Sequence, residues 1–264
     1  MSLTTNRNDK IKLLFEVWPV HTVATASWLR HKGFSYENLS GYQKSGWISR
    51  VGAGAFKRVT DTVSWEGAVF GLQRQYSKQF HVGGRSALEF LGAAHFVPFG
   101  KSKLFLFASR KRTLPLWLSD YLVHIKKPCE YLQYGFLKSE LGLTSYNCGE
   151  FQIDISTRER AALEIVELLG RFHDFEECRL LFENLGTLRP KVVQELLETC
   201  ASIKAKRVFL FLCKNLGHKW VQDLDLSRID LGSGPREVTP GGYYDAEFKI
   251  TYPKGFFDED RLEI

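Results

Sequence analysis

The sequence predicts an α+β fold, in which a small basic unit of three helices and a two-stranded wing precedes a larger part, first mixed α/β and then largely helical. Three observations carry this. Residues 8 to 46 hold three short apolar-faced segments, each with a cap or a stop signal, and two glycine-hinged strands follow them at once. Strand-prone runs at 103–109, 129–135 and 151–156 then alternate with helical patterns. Beyond residue 156 the helical period dominates as far as residue 217.

In NDKIKLLFEVWP, Asn8 or Asp9 is the expected cap, Ile11, Leu14, Phe15 and Trp18 share a face, and Pro19 stops the helix. A second helix is read in TASWLRHKG, with Thr25 as cap, Trp28 and Leu29 inward, and Gly33 as the left-handed stop. Ser35 then caps a third, with Glu37 in its first turn, Leu39, Tyr42 and Gln43 on one face, and Gly46 at its end. The strands WISRV and AFKRV, joined by the hinge GAG, complete a hairpin.

After Val63 the pattern continues with a helix in SWEGAVFGLQRQY, a short strand in FHVGG and a helix in SALEFLGAA. KLFLFAS, CEYLQYG and FQIDIS read as strands. Ser156 and Glu159 have the spacing of a capping box for TRERAALEIVELLG, and helices follow at 175–185, 190–201 and 204–217, the second opened by Arg189-Pro190. DLDLSRIDLGSGPR and YYDAEFKITYP return to turn and strand, and FFDEDRLEI is expected to be a loosely ordered acidic tail. Charge and pattern together place a domain boundary near 60–65, giving domains 1–62 and 63–264.

The net charge of +6 is unevenly spread. Nine bases against four acids in residues 1–62 give that segment +5, which leaves +1 for the rest. Clustered positive charge is what long-range attraction to a polyanion requires. No apolar run is long enough for a membrane span and no secretory leader is evident, so a soluble cytoplasmic protein is expected. The five cysteines are scattered without a C-x-x-C pair, as buried reduced thiols would be.

Helix, helix, turn, helix and wing is the order of a winged helix-turn-helix, whose third helix fits a major groove about 12 Å wide. Ser35, Glu37, Asn38, Ser40, Gly41 and Lys44 form the expected groove face, with Arg50, Lys57 and Arg58 on the wing for phosphates. Double-stranded DNA is the partner this implies. Winged helices also dock proteins, and that alternative stays open.

Four constellations test for chemistry. Asp245, Glu247 and Lys249 have the spacing of a magnesium nuclease, the least favoured alternative, because the residues around them supply no core for an active site. Asp223 and Asp225 precede the Gly232-Ser233-Gly234 turn, the reverse of the order a nucleotidyltransferase needs. HVGGRS (81–86) lacks both phosphate-loop spacings, and the seven histidines show no ligand spacing. No catalytic residue, metal or cofactor is assigned.

SWLRHKGFSYENLSGYQKSGWISRVGAGAFKR resembles the N-terminal domain of the AbiEi family, the antitoxins of type IV, abortive-infection toxin-antitoxin systems. HVGGRSALEFLGAAHFVPFG, TLRPKVVQELLETCASIKAKRVFLFL and DLDLSRIDLGSG resemble its C-terminal antitoxin domain, so the likeness runs from about residue 10 to 254. The resemblance implies a regulator that represses its own operon through the winged helix, and a sequence without an assignable active site fits a regulator rather than an enzyme. It also implies a partner toxin that adds nucleotides to tRNA, neutralised by residues 63–264. The recognition helix would be Ser35 to Ser45 and the wing Trp47 to Val59. Arg85, Lys191, Lys204, Lys206 and Arg207 are the candidates for antitoxicity or further DNA contact, and a regulator of paired repeats gains from weak self-association.

Overall fold

The structure is a computed structural model that describes residues 7–76, 80–93, 103–108, 112–133, 135–138 and 140–256. Contacts divide the chain into two compact units. The first comprises Met1–Val82, Pro98–Gln133 and Ser145–Ile155, and the second Gly83–Val97, Tyr134–Thr144 and Ser156–Ile264. The boundary expected at 62/63 therefore falls inside the first unit. The acidic tail at 257–264 lies outside the described residues.

The first unit begins with α1 (Arg7–Val17), β1 (Ala24–Thr25), α2 (Ala26–His31), α3 (Tyr36–Lys44), β2 (Ile48–Gly52) and β3 (Ala55–Arg58). Asn8 and Asp9, expected as caps, lie within α1 because the helix already starts at Arg7. Thr25 caps α2 as expected, its hydroxyl accepting from the Trp28 amide at 3.3 Å. Leu14, Trp18, Leu29, Phe34, Leu39, Tyr42, Ile48 and Phe56 meet in one core, which is what sets the three helices on the small sheet. Gln43, placed on the inner face by spacing alone, is exposed, because its position on the helix carries it past the buried edge that Leu39 defines.

The sheet runs in the order β1-β3-β2, all antiparallel. Gly52 pairs with Ala55, so the hairpin turns through Ala53 and Gly54 alone, and Gly54 takes the left-handed φ of 69° that such a turn needs. The Ala26 amide donates to the Gly54 carbonyl at 2.7 Å, tying the tip of the wing to the start of α2.

The chain continues through α4 (Trp65–Tyr76), β4 (Phe80–Val82), α5 (Gly84–Phe90), β5 (Leu104–Ala108), α6 (Leu116–His124), β6 (Cys129–Gln133), β7 (Leu143–Asn147) and β8 (Gln152–Ser156). The second sheet has the order β6-β5-β4-β8-β7, with β4 antiparallel to β5 and parallel to β8, and β5 parallel to β6. Within the first unit α4 is joined to the winged helix backbone to backbone. The Val23 amide donates to the Gly67 carbonyl at 3.1 Å, and a Cβ on Gly67 or Gly71 would stand 2.0 Å from the His21 oxygen or 2.5 Å from the Val23 oxygen. Gly52 does the same on the other side, where a Cβ would meet that of Trp117 in α6 at 2.7 Å. Two of the glycines therefore admit a neighbouring backbone and one a neighbouring helix. None of the three acts as a hinge.

The second unit takes α5 and adds α7 (Arg158–Glu167), α8 (Phe175–Glu183), α9 (Pro190–Thr199), α10 (Ile203–Asn215) and the hairpin β9 (Tyr243–Asp245) and β10 (Ile250–Tyr252). The capping box expected from Ser156 and Glu159 does not form. Thr157 occupies the cap position of α7 without a side-chain bond, the Ser156 hydroxyl donates to Glu164 at 2.8 Å, and Glu159 accepts from Arg189 at 2.9 and 3.0 Å. The buried Glu164 carboxylate draws its donors from Ser156, Arg160 and the Gly84 amide, which takes Ser156 away from the helix end. Burial alone would raise the Glu159 carboxyl. Hydrogen bonds from Arg189 and from backbone amides outweigh it and bring its pKa to about 2.

Candidate nucleic-acid interface

Ser35 and Asn38 close a reciprocal cap on α3: the Asn38 amide donates to the Ser35 hydroxyl at 3.2 Å, and the Ser35 amide donates to Asn38 Oδ1 at 3.1 Å. Both residues fix where the helix starts. Leu39 and Tyr42 anchor its inner face, so Tyr36, Glu37, Ser40, Gln43 and Lys44 are left exposed and Gly41 half-buried. Nine residues make a rod of about 13 Å, short enough to lie within one stretch of major groove.

The basic residues expected on the wing separate into two kinds. Arg50 is exposed on β2 and Lys44 on the last turn of α3, and among the described residues neither has an ion pair or side-chain hydrogen bond. Lys57 and Arg58, by contrast, bond inward. Lys57 Nζ donates to the Asp61 carbonyl at 2.9 Å. The Arg58 guanidinium donates to the Phe15 carbonyl at 2.7 Å and to the Trp18 carbonyl, and it lies over the Phe15 ring at 4.6 Å. Arg58 thus satisfies carbonyls left open at the end of α1. Burial pushes its pKa down, with Asp61 acting the other way.

Two aromatic residues outside the expected groove face and phosphate set also stand on this surface. Tyr36, 61% exposed, opens α3 with the Arg30 guanidinium 4.9 Å from its ring centroid, and Trp47, half-exposed, leans on Phe15 at 6.0 Å. Tyr36 opens α3 and Trp47 follows its end, just before β2, and the legible sign for both is an aromatic residue next to a helix boundary and off the Leu39–Tyr42 face.

In the second unit the five basic candidates do not form a surface cluster. Arg85 bonds Glu89 at 3.2 Å and Glu177 at 2.6 Å. Lys204 Nζ donates to the carbonyls of Glu167 and Leu169 at 3.0 and 2.7 Å, and burial lowers its pKa. Lys206 and Arg207 are 2% and 1% exposed, and Arg207 donates to the carbonyls of Leu231, Gly234 and Lys249. These two do not stand on the surface, because α10 is buried on every side from Ala205 to Cys213. Lys191 is exposed, on the wall of a groove of about 1060 Å³ that Asp223, Asp225, Glu195 and Arg228 also line.

The constellations tested for chemistry do not converge. Glu247 and Lys249 lie in the turn between β9 and β10, not in a strand: Glu247 pairs with Lys214, Lys249 has a φ of 53°, and Asp245 accepts the Phe248 amide at 2.6 Å. Asp225 caps a turn at Ser227, and the Gly84 amide in HVGGRS is already taken by Glu164 at 2.8 Å. Among the described residues no group of three acidic, histidine or cysteine side chains could hold a metal, and no helix is long and apolar enough to cross a membrane.

No curated protein matches the chain. Among solved structures it is similar to the crystal structure of the RV2827C protein from Mycobacterium tuberculosis, with a TM-score of 0.58 and 14% identity over 87% of this chain and 85% of that one, a likeness of fold. Two family models match end to end. Residues 7–99 fit a transcriptional regulator, AbiEi antitoxin N-terminal domain, and residues 101–253 fit a transcriptional regulator, AbiEi antitoxin, type IV toxin-antitoxin system. With a winged helix inside the first match and the helical second unit largely inside the other, the chain belongs to the AbiEi family of transcriptional regulators and type IV antitoxins.

Proposed function

We propose that this protein represses its own toxin-antitoxin operon by binding promoter DNA through α3 and the wing, and that it neutralises a partner nucleotidyltransferase toxin. Residues 1–62 carry the DNA reading and residues 63–264 the antitoxicity. One observation carries the first part: the exposed face of α3 is polar from Glu37 to Lys44, and Lys44 and Arg50 beside it are uncommitted to any partner among the described residues. A helix face of this kind suits base edges, and free cations at its border suit phosphates. Glu37, an anion that phosphates repel, belongs deep in the groove, where it accepts from a cytosine amino group. For the second part, Lys191 is the basic candidate exposed to meet a toxin or its RNA target.

The test is binding to the DNA upstream of the protein's own gene across a salt series. Each lost phosphate contact lowers the log-log salt slope by about 0.9. Lys44→Ala and Arg50→Ala are each expected to reduce the slope by about one contact, on operator and scrambled DNA alike. A protein that binds neither DNA at low salt is a docking module for the toxin instead.

A further inference from the structure

We propose that Tyr36 is the specificity-determining residue of the DNA-reading surface, with Arg30 as its positioning residue. This rests on the DNA-binding reading above and goes beyond it by naming the side chain that separates one sequence from another.

Tyr36 is the first residue of α3, and Cα–Cβ bonds tilt toward a helix's N-terminus, so its side chain overhangs the helix start. In helix-turn-helix proteins the N-terminal residues of the reading helix reach the base edges. The ring is 61% exposed although Leu39 and Tyr42 of the same helix are buried, so the core of the unit makes little use of it. Arg30, on the last turn of α2, lies 4.9 Å from the ring centroid and backs the phenol with a planar cation. The ring is thereby held toward solvent, and a positive charge sits beside it for a flanking phosphate.

The chemistry offered is a flat apolar face with one hydroxyl. The face fits the 5-methyl group of thymine, and the hydroxyl can donate to a purine N7 or accept from an adenine or cytosine amino group. Ser40 and Gln43 continue the same side of the helix one and two turns on, and both are exposed. Gln43 there matches the paired acceptor and donor of adenine. Among these three Tyr36 reaches farthest, and its partner Arg30 belongs to a different helix, so its placement is fixed from outside α3.

The experiment measures affinity of the full chain for its own upstream DNA and for a scrambled duplex of the same length, at several salt concentrations. Wild type, Tyr36→Ala, Tyr36→Phe, Arg30→Ala and Arg30→Lys are compared. Tyr36→Ala is expected to lower the ratio of specific to scrambled affinity about tenfold, the scale of one mismatched base pair, without changing the salt slope. Tyr36→Phe retains the methyl contact and loses part of the ratio. Arg30→Ala lowers both the ratio and the slope, whereas Arg30→Lys restores the slope and leaves the ratio low, because an ammonium does not back the ring as a planar guanidinium does. A Tyr36→Ala protein that melts like wild type and keeps the full ratio overturns the inference while leaving the repressor reading intact. A wild type that binds neither duplex overturns both.

Discussion

Arg58 and Lys44 are both basic residues of the winged helix, yet the structure gives them different work. Lys44 projects from the last turn of α3 into solvent, while Arg58 is bound to carbonyls at the end of α1 and stacked on Phe15. A charged donor to a backbone carbonyl contributes about 1.5–3 kcal/mol, and Arg58 makes two such bonds beside its stacking on Phe15, so its side chain is assigned to the fold. Arg58→Ala is expected to lower stability by about 2 kcal/mol in urea unfolding, while the salt slope of DNA binding by the remaining folded protein stays as in wild type. A slope reduced by one contact, with stability unchanged, would return Arg58 to the phosphate set. The sequence alone does not make this division, since FKR on a strand looks the same whether its arginine faces DNA or a helix end. Arg207 follows the same logic: the run VFLFLC that follows it marks a helix buried all round, and that run was the legible sign that Lys206 and Arg207 would be buried too.

The elements themselves were largely legible because each carried a local signal. Ser35 and Thr25 cap the helices they were expected to cap, and Pro190 opens α9. What local signals missed was set by distant residues, as where Glu164 draws Ser156 from the end of α7. The glycines of α4 show this most clearly. WEGAVFGLQRQY reads as an ordinary amphipathic helix with two weak positions, and replacing either glycine by alanine would add about 1 kcal/mol of helix propensity. In the folded unit, however, the Val23 oxygen stands 2.5 Å from where the Gly71 Cβ would be, and the atom in the way is backbone that has no rotamer to change. Overpacking of this kind costs about 1–3 kcal/mol and here outweighs the gain. Gly71→Ala is therefore expected to lower the melting temperature, and to weaken DNA binding by displacing β1 from β3. A higher melting temperature would mean that α4 and β1 are not in contact.

At the scale of the molecule, charge and pattern separated residues 1–62 from the rest, whereas the contacts keep them with α4, the second sheet and α6. The two divisions answer different questions, one about where the basic residues cluster and the other about which residues fold together. The winged helix does have a core of its own, from Leu14 to Phe56. A domain of that length has only about 3–9 kcal/mol of stability to lose, at 0.05–0.15 kcal/mol per residue. Cutting after residue 62 exposes Val23, which is fully buried in the whole protein, at about 1.5–3 kcal/mol. It also removes the hydrogen bond from Val23 to Gly67, worth about 1 kcal/mol, and the packing of Trp117 on Gly52. Those losses, about 2.5–4 kcal/mol before the Trp117 packing is counted, reach the lower part of that margin. A fragment of residues 1–62 is accordingly expected to keep helical circular dichroism but to melt broadly, with little amide protection in α2 and α3, and to bind operator DNA far more weakly than the full chain. The full chain at the same salt is the reference, so weak binding by the fragment counts against its fold and not against the DNA-reading surface. A fragment that melts sharply and binds as tightly as the full chain would show that α4 and α6 are dispensable, and that the boundary read from charge divides the fold as well as the function.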